Sequence, residues 1–162
     1  MRNDEFERLY EEEAQRLLGF LVYRTGDRAL AEDVLADAFE RVLRSRRRFD
    51  PRRGSGKTWL YTVALNRLRD LQRRGQTERR ALERIAAGTE SADGGGLGRV
   101  EQGGDLMQAL AGLSEEEREA IALRYGGDLS VPEVAKVTGV KLSTAEGRVY
   151  RGLEKLRDAL GG

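Results

Sequence analysis

The 162-residue sequence has no cysteine and no histidine. Disulfides, thiolate or imidazole metal sites, cysteine nucleophiles and histidine general bases are therefore excluded, and much of the usual catalytic inventory goes with them. Proline occurs only twice, as Pro51 and Pro132, each where an element could start. No apolar run approaches the roughly 18 residues that a membrane helix needs. The first residues include Asp4, Glu5 and Glu7 rather than a basic stretch, so no signal peptide and no membrane insertion are expected, and the expected location is cytoplasmic. Charged residues make up 35% of the chain and apolar residues 39%. That balance suits small helical units with thin cores, and the length allows one compact domain or two small ones.

The net charge of +1 hides a strong asymmetry. Residues 1–40, 41–80, 81–130 and 131–162 carry −6, +11, −6 and +2. A block this basic is a candidate footprint for a polyanion, because phosphate contacts by Lys and Arg release counterions. Phe49, Trp59 and Tyr61 lie within it, and charge next to stacking surfaces favours nucleic acid over a merely solvated face.

Apolar periodicity predicts an all-α chain of two small helical domains: three helices in residues 1–75, a flexible Gly-rich linker over 76–104, and four helices in 105–162. Phe6, Leu9, Tyr10, Leu17, Leu18 and Leu21 mark a helix over 4–23, ended by Thr25 and Gly26. Asp27 caps a second helix whose apolar pairs step every four residues from Leu30/Ala31 to Val42/Leu43. Between Ser45 and Gly56 the pattern dissolves into a basic loop. A third helix over 58–74 buries Leu60, Val63, Ala64, Leu68 and Leu71 and turns Arg67, Arg69, Arg73 and Arg74 outward. Eight glycines between Gly75 and Gly104 argue for a linker, within which a short helix near 77–87 is compatible with Leu82, Ile85 and Ala86.

In the second domain, a short helix near 106–111 precedes three S-x-x-E capping boxes, Ser114/Glu117, Ser130/Glu133 and Ser143/Glu146, which set three further helix starts. The last helix runs along Ala145, Val149, Leu153, Leu156 and Leu160. Residues 131–151 have helix-turn-helix spacing: Ala135 lets two helices approach, Gly139 permits the turn, and Val134, Val140, Ala145 and Val149 are buried. A hairpin that merely packs would share this spacing. The exposed face of its second helix, with Lys141, Ser143, Thr144, Arg148, Tyr150 and Arg151, favours major-groove reading. Glu146 would repel phosphate unless it accepts from a cytosine amino group or is occupied in its capping box, which is the favoured reading, and Gly147 and Gly152 each cost about 1 kcal/mol of helix propensity.

Over nearly its whole length, the chain resembles a bacterial RNA polymerase sigma factor of the extracytoplasmic-function, sigma-70-like family, reduced to regions 2 and 4. Residues 31–39 (AEDVLADAF) are similar to the family's polymerase-docking helix, residues 49–67 to the block that recognises and opens the minus-ten element, and residues 143–151 to the reader of the minus-thirty-five element. The resemblance implies a transcription initiation factor with no enzymatic activity and no cofactor. Its partners would be core RNA polymerase, promoter DNA and an anti-sigma factor.

Carried onto this sequence, the resemblance places Asp33, Asp37, Phe39 and Glu40 at the polymerase. It places Phe49, Arg53, Lys57, Thr58, Tyr61, Asn66, Arg67, Arg69 and Arg73 at the minus-ten element. Lys141, Ser143, Thr144, Gly147, Arg148, Tyr150 and Arg151 fall at the upstream element. Strand opening costs a few kcal/mol per flipped base, which stacking or pocket contacts can return. Phe39 also fits the core, and Trp59 reads as a packing anchor. The chain departs from the family pattern at Ala36, where Gln is usual, Asp37 (Glu), Glu146 (a basic residue) and Gly147 (Ser). Two other classes fit parts of the pattern: a stand-alone helix-turn-helix regulator, which leaves the block at 46–74 unexplained, and a magnesium-dependent nuclease or phosphotransferase using acidic residues such as Asp33 and Asp37, which lacks a phosphate loop and a base.

Overall fold

A computed structural model describes residues 1–85 and 104–161. Their seven α-helices form two bodies, as the periodicity predicts. The first holds α1 (Asn3–Thr25), α2 (Arg28–Arg44) and α3 (Gly56–Ile85). The second holds α4 (Gly104–Ala111), α5 (Glu115–Ile121), α6 (Val131–Thr138) and α7 (Leu142–Ala159).

In the first body, α1 ends at Gly26 and Asp27 caps α2 by accepting from the Leu30 amide at 3.2 Å. The four-residue apolar steps of α2 bury Ala31, Val34, Ala38 and Val42 completely against α1 and α3. Ser45–Ser55 remains the basic connection, tightened by two 3₁₀ turns, Arg46–Arg48 and Pro51–Arg53. Asp50 caps the second of them by accepting from the Arg52 amide at 3.0 Å.

Helix α3 does not stop at residue 74. It runs through Gly75 to Ile85, absorbing the short helix expected separately near 77–87. A single mid-helix glycine costs only about 1 kcal/mol, which the strong helix formers on either side, Gln72 to Arg74 and Glu78 to Arg84, offset. The rest of the expected linker, 86–103, lies outside the described residues.

In the second body the capping boxes at Ser114/Glu117 and Ser130/Glu133 form with both reciprocal bonds. The third does not. Gly139 takes the left-handed conformation (φ 73°) that closes α6, the Val140 amide donates to the Ala135 carbonyl at 3.0 Å, and the chain is already helical at Leu142. Lys141 is thus the N-cap residue, without a side-chain cap, and Ser143 sits inside the helix where its hydroxyl cannot serve the first turn. Glu146 is therefore exposed rather than held in a box.

The seam of α7 buries Ala145 and Val149, with Leu153 and Leu156 half-buried, but Leu160 is exposed. Gly152 is a packing requirement: a Cβ there would lie 2.8 Å from Ile121 Cγ1, so α7 crosses α5 closely only because the side chain is missing.

The two bodies share apolar contacts. Helix α3 packs on α6, and α1 on a π turn, Ala122–Gly126, that follows α5. Tyr61 of α3 is completely buried there, its ring against Phe20 and close to Gly127. Glu119 of α5 clasps the first body, accepting from Arg24 Nε at 2.9 Å and Arg69 Nη2 at 3.2 Å.

Candidate nucleic-acid interface

Two surfaces combine basic and stacking groups. The first is an open cavity of about 700 Å³ where the 3₁₀ turns meet the start of α3. Arg48, Phe49, Arg53, Thr58 and Trp59 line it, and Lys136 enters from α6. The Phe49 and Trp59 rings stack with centroids 5.5 Å apart. Trp59 is half-buried, so it anchors the helix start and also forms a cavity wall. Arg48 and Lys136 were not among the expected contacts. Arg48 sits in the basic run, but no local pattern could bring Lys136 there from a distant helix.

Several expected minus-ten residues are placed otherwise. Tyr61 lies in the core, where its hydroxyl faces Glu13 at 3.4 Å, and burial together with the Glu13 charge pushes its phenol pKa upward. It does not face solvent because an aromatic on the inner side of α3 gains more from burial than from exposure. Thr58 is buried too: its amide donates to Ser55 Oγ at 3.1 Å and its hydroxyl to the Ser55 carbonyl at 2.9 Å, finishing the helix start.

Lys57 donates to the Asp128 carbonyl at 3.0 Å and lies 3.6 Å from the buried Glu13 carboxylate. That carboxylate needs such partners, because an uncompensated buried charge is costly. Arg69 is on Glu119. Asn66 and Arg73 are exposed. Arg67, expected to point outward, is only 21% exposed and bridges Asp37 at 2.9 Å and Asp70 at 3.3 Å.

The second surface is the outer side of α7. Lys141, Ser143 and Tyr150 are exposed, and Thr144, Gly147 and Arg148 half-exposed. Lys141 and Arg148 form no ion pair among the described residues. Arg151 leans back 3.6 Å from Glu117. Glu117 also accepts from Lys155 at 2.8 Å and from the Ser114 amide at 3.0 Å, and these bonds hold its carboxyl below the usual range.

On α2, Asp33 and Glu40 are exposed and Asp37 half-buried. Phe39 is 6% exposed beneath Phe6 and Tyr10, whose ring centroids lie 6.1 Å and 4.9 Å away, so it belongs to the core. The aromatic that this face presents is Tyr10, 51% exposed. Periodicity counts Tyr10 among the apolar positions of the first helix, and spacing alone cannot tell an edge position from a central one. Asp37 is neutralised by Arg67, which disfavours a catalytic magnesium site on α2.

Comparison with known proteins matches a family region to each of the two bodies. Sigma-70 region 2 matches residues 9–78 and sigma-70 region 4 matches residues 104–156. The RNA polymerase sigma factor CarQ of Myxococcus xanthus is 34% identical over 98% of this chain and 90% of its own length. The extracytoplasmic-function sigma factor RpoE of Cereibacter sphaeroides is 32% identical over 94% of this chain and 84% of its own. Among solved structures, sigma factor RpoE of Bartonella quintana, crystallised with the anti-sigma factor NepR, shares the fold with a TM-score of 0.72 at 24% identity, covering 96% of each chain. The chain belongs to the extracytoplasmic-function sigma factors of the sigma-70 family, non-enzymatic subunits that direct RNA polymerase to promoters through regions 2 and 4.

Proposed function

We propose a residue-level division of labour for this sigma factor. The acidic face of α2, with Asp33, Asp37, Glu40 and the neighbouring Tyr10, docks on core polymerase. The outer side of α7 reads the minus-thirty-five element, and the Phe49/Trp59 cavity takes an unstacked base of the minus-ten element. The stacked pair inside a cationic cavity is the observation that carries this reading: Phe49 and Trp59 offer a π surface, and Arg48 and Arg53 supply charge for the adjoining phosphates. Asn66 and Arg67 continue the path along α3. The working compartment is the cytoplasm, where promoters are, and an anti-sigma factor is the regulatory partner suggested by the Bartonella relative.

Transcription from a duplex promoter and from one already opened at the minus-ten element tests the cavity. Phe49→Ala is expected to lower initiation on the duplex by on the order of tenfold, the value of one lost base stack, and to lose far less on the opened template. Unchanged initiation on the duplex would contradict base capture at this cavity.

A further inference from the structure

The Arg67 guanidinium is held from two sides. Its Nε donates to Asp37 Oδ2 of α2 at 2.9 Å, and its Nη1 to Asp70 Oδ2 of α3 at 3.3 Å. Asp70 is in turn shared with Arg74 at 3.3 Å. A phosphate approaching Arg67 therefore meets a cation already neutralised, with the Asp37 carboxylate beside it. Asp37 is 40% exposed at its side chain and stands on the face assigned to polymerase. One ion pair thus joins a residue of the docking face to a residue of the DNA path.

We propose that the Asp37–Arg67 pair couples the two faces of region 2: a cationic group docking on Asp37 competes for its carboxylate and releases Arg67 to a nucleic-acid phosphate. A carboxylate shared between two cations holds each less tightly, and the second cation repels the first. By linkage the effect is reciprocal, so a bound strand that takes Arg67 leaves Asp37 freer for the polymerase. The proposal rests on the residue assignments above, and its test separates the two.

The experiment measures binding of a fluorescent twelve-residue oligothymidylate to the full chain without polymerase, for wild type, Asp37→Asn, Arg67→Gln and the double variant. Asp37→Asn keeps an oxygen for Arg67 while removing the charge, and circular dichroism checks that each variant folds. Asp37→Asn is expected to tighten binding by about fivefold, the lower end of ordinary coupling, and to change it less than about twofold when Arg67 is already Gln. Asp33→Asn, on the same helix but without an ion pair among the described residues, serves as the control and is expected to give less than half that gain.

Equal tightening with and without Arg67, or from Asp33→Asn, would mean a general field effect and overturn the coupling. Weaker or unchanged binding by Asp37→Asn would overturn it too. If Arg67→Gln costs the same factor whether residue 37 is Asp or Asn, Arg67 reaches the strand but Asp37 does not gate it. If it costs nothing in either background, the placement of Arg67 on the DNA path fails as well.

Discussion

In the first body three described cations of α3 are already engaged: Lys57 on Asp128 and Glu13, Arg67 on Asp37 and Asp70, and Arg69 on Glu119. In the second body the first half of α7 leaves Lys141 and Arg148 without ion pairs among the described residues. Under the proposed division of labour, the contrast follows from what each surface would read. A major groove presents its base edges without rearrangement, so a duplex reader can be preformed. A strand reader has no substrate until the duplex opens; on the proposed assignment Arg67 and Arg69 of its α3 stretch rest on carboxylates meanwhile, whereas Arg48 and Arg53 at the cavity form no ion pair among the described residues. Restraint costs the first body little, because the pairs with Glu13, Asp37 and Glu119 also tie α3 to α1, α2 and the second body.

The comparison breaks first at Tyr61. As a core residue, Tyr61→Ala should cost about 3 kcal/mol or more in urea denaturation, the usual range for truncating a buried aromatic. A base-contacting residue would leave stability unchanged. Next comes α7, whose approach to α5 depends on Gly152. Gly152→Leu drives a side chain into Ile121 and should cost about 2 kcal/mol by the same measurement. Gly147→Ala, whose Cβ would meet only the movable Arg151 guanidinium, should instead gain several tenths of a kcal/mol from propensity.

Binding of an upstream-element duplex at fixed salt sharpens the contrast within α7. Arg148→Ala should weaken it by about 1–3 kcal/mol, and Arg151→Ala by less, because Arg151 already rests on Glu117. The smallest effect concerns pH. The Lys155 bond and the Ser114 amide hold the Glu117 pKa below 4.5 in the folded chain. Its contribution to stability is thus present above that value and lost as pH falls through the folded value. Lys155→Met should lower the melting temperature at pH 7, and the gap from wild type should shrink as acid protonates Glu117. A constant gap would show that Lys155 acts through packing alone.

Much of the fold was legible in the sequence because its signals are local. The four-residue apolar steps of α2, the Asp27 cap, the boxes at Ser114 and Ser130 and the turn at Gly139 each need only neighbours within one or two helical turns. What could not be read is set by tertiary partners. Whether Tyr61 faces in or out depends on Glu13, Phe20 and Gly127, none of them near it in sequence. Arg67 looks outward by spacing, yet Asp37 lies across the α2–α3 contact, thirty residues earlier. The Ser143/Glu146 pattern misleads because the turn at Gly139 starts the helix earlier than the serine could cap it. The continuation of α3 past Gly75 shows that one glycine marks a helix end only when the residues beyond it are poor helix formers too.

Exchange of arginine Nε protons with water, measured by NMR on the ¹⁵N-labelled free chain, tests most directly whether the strand reader is held while the duplex reader is open. The Arg67 Nε–H, bonded to Asp37, is expected to exchange on the order of tenfold more slowly than that of Arg148. Equally fast exchange at both would contradict the difference drawn between the two bodies.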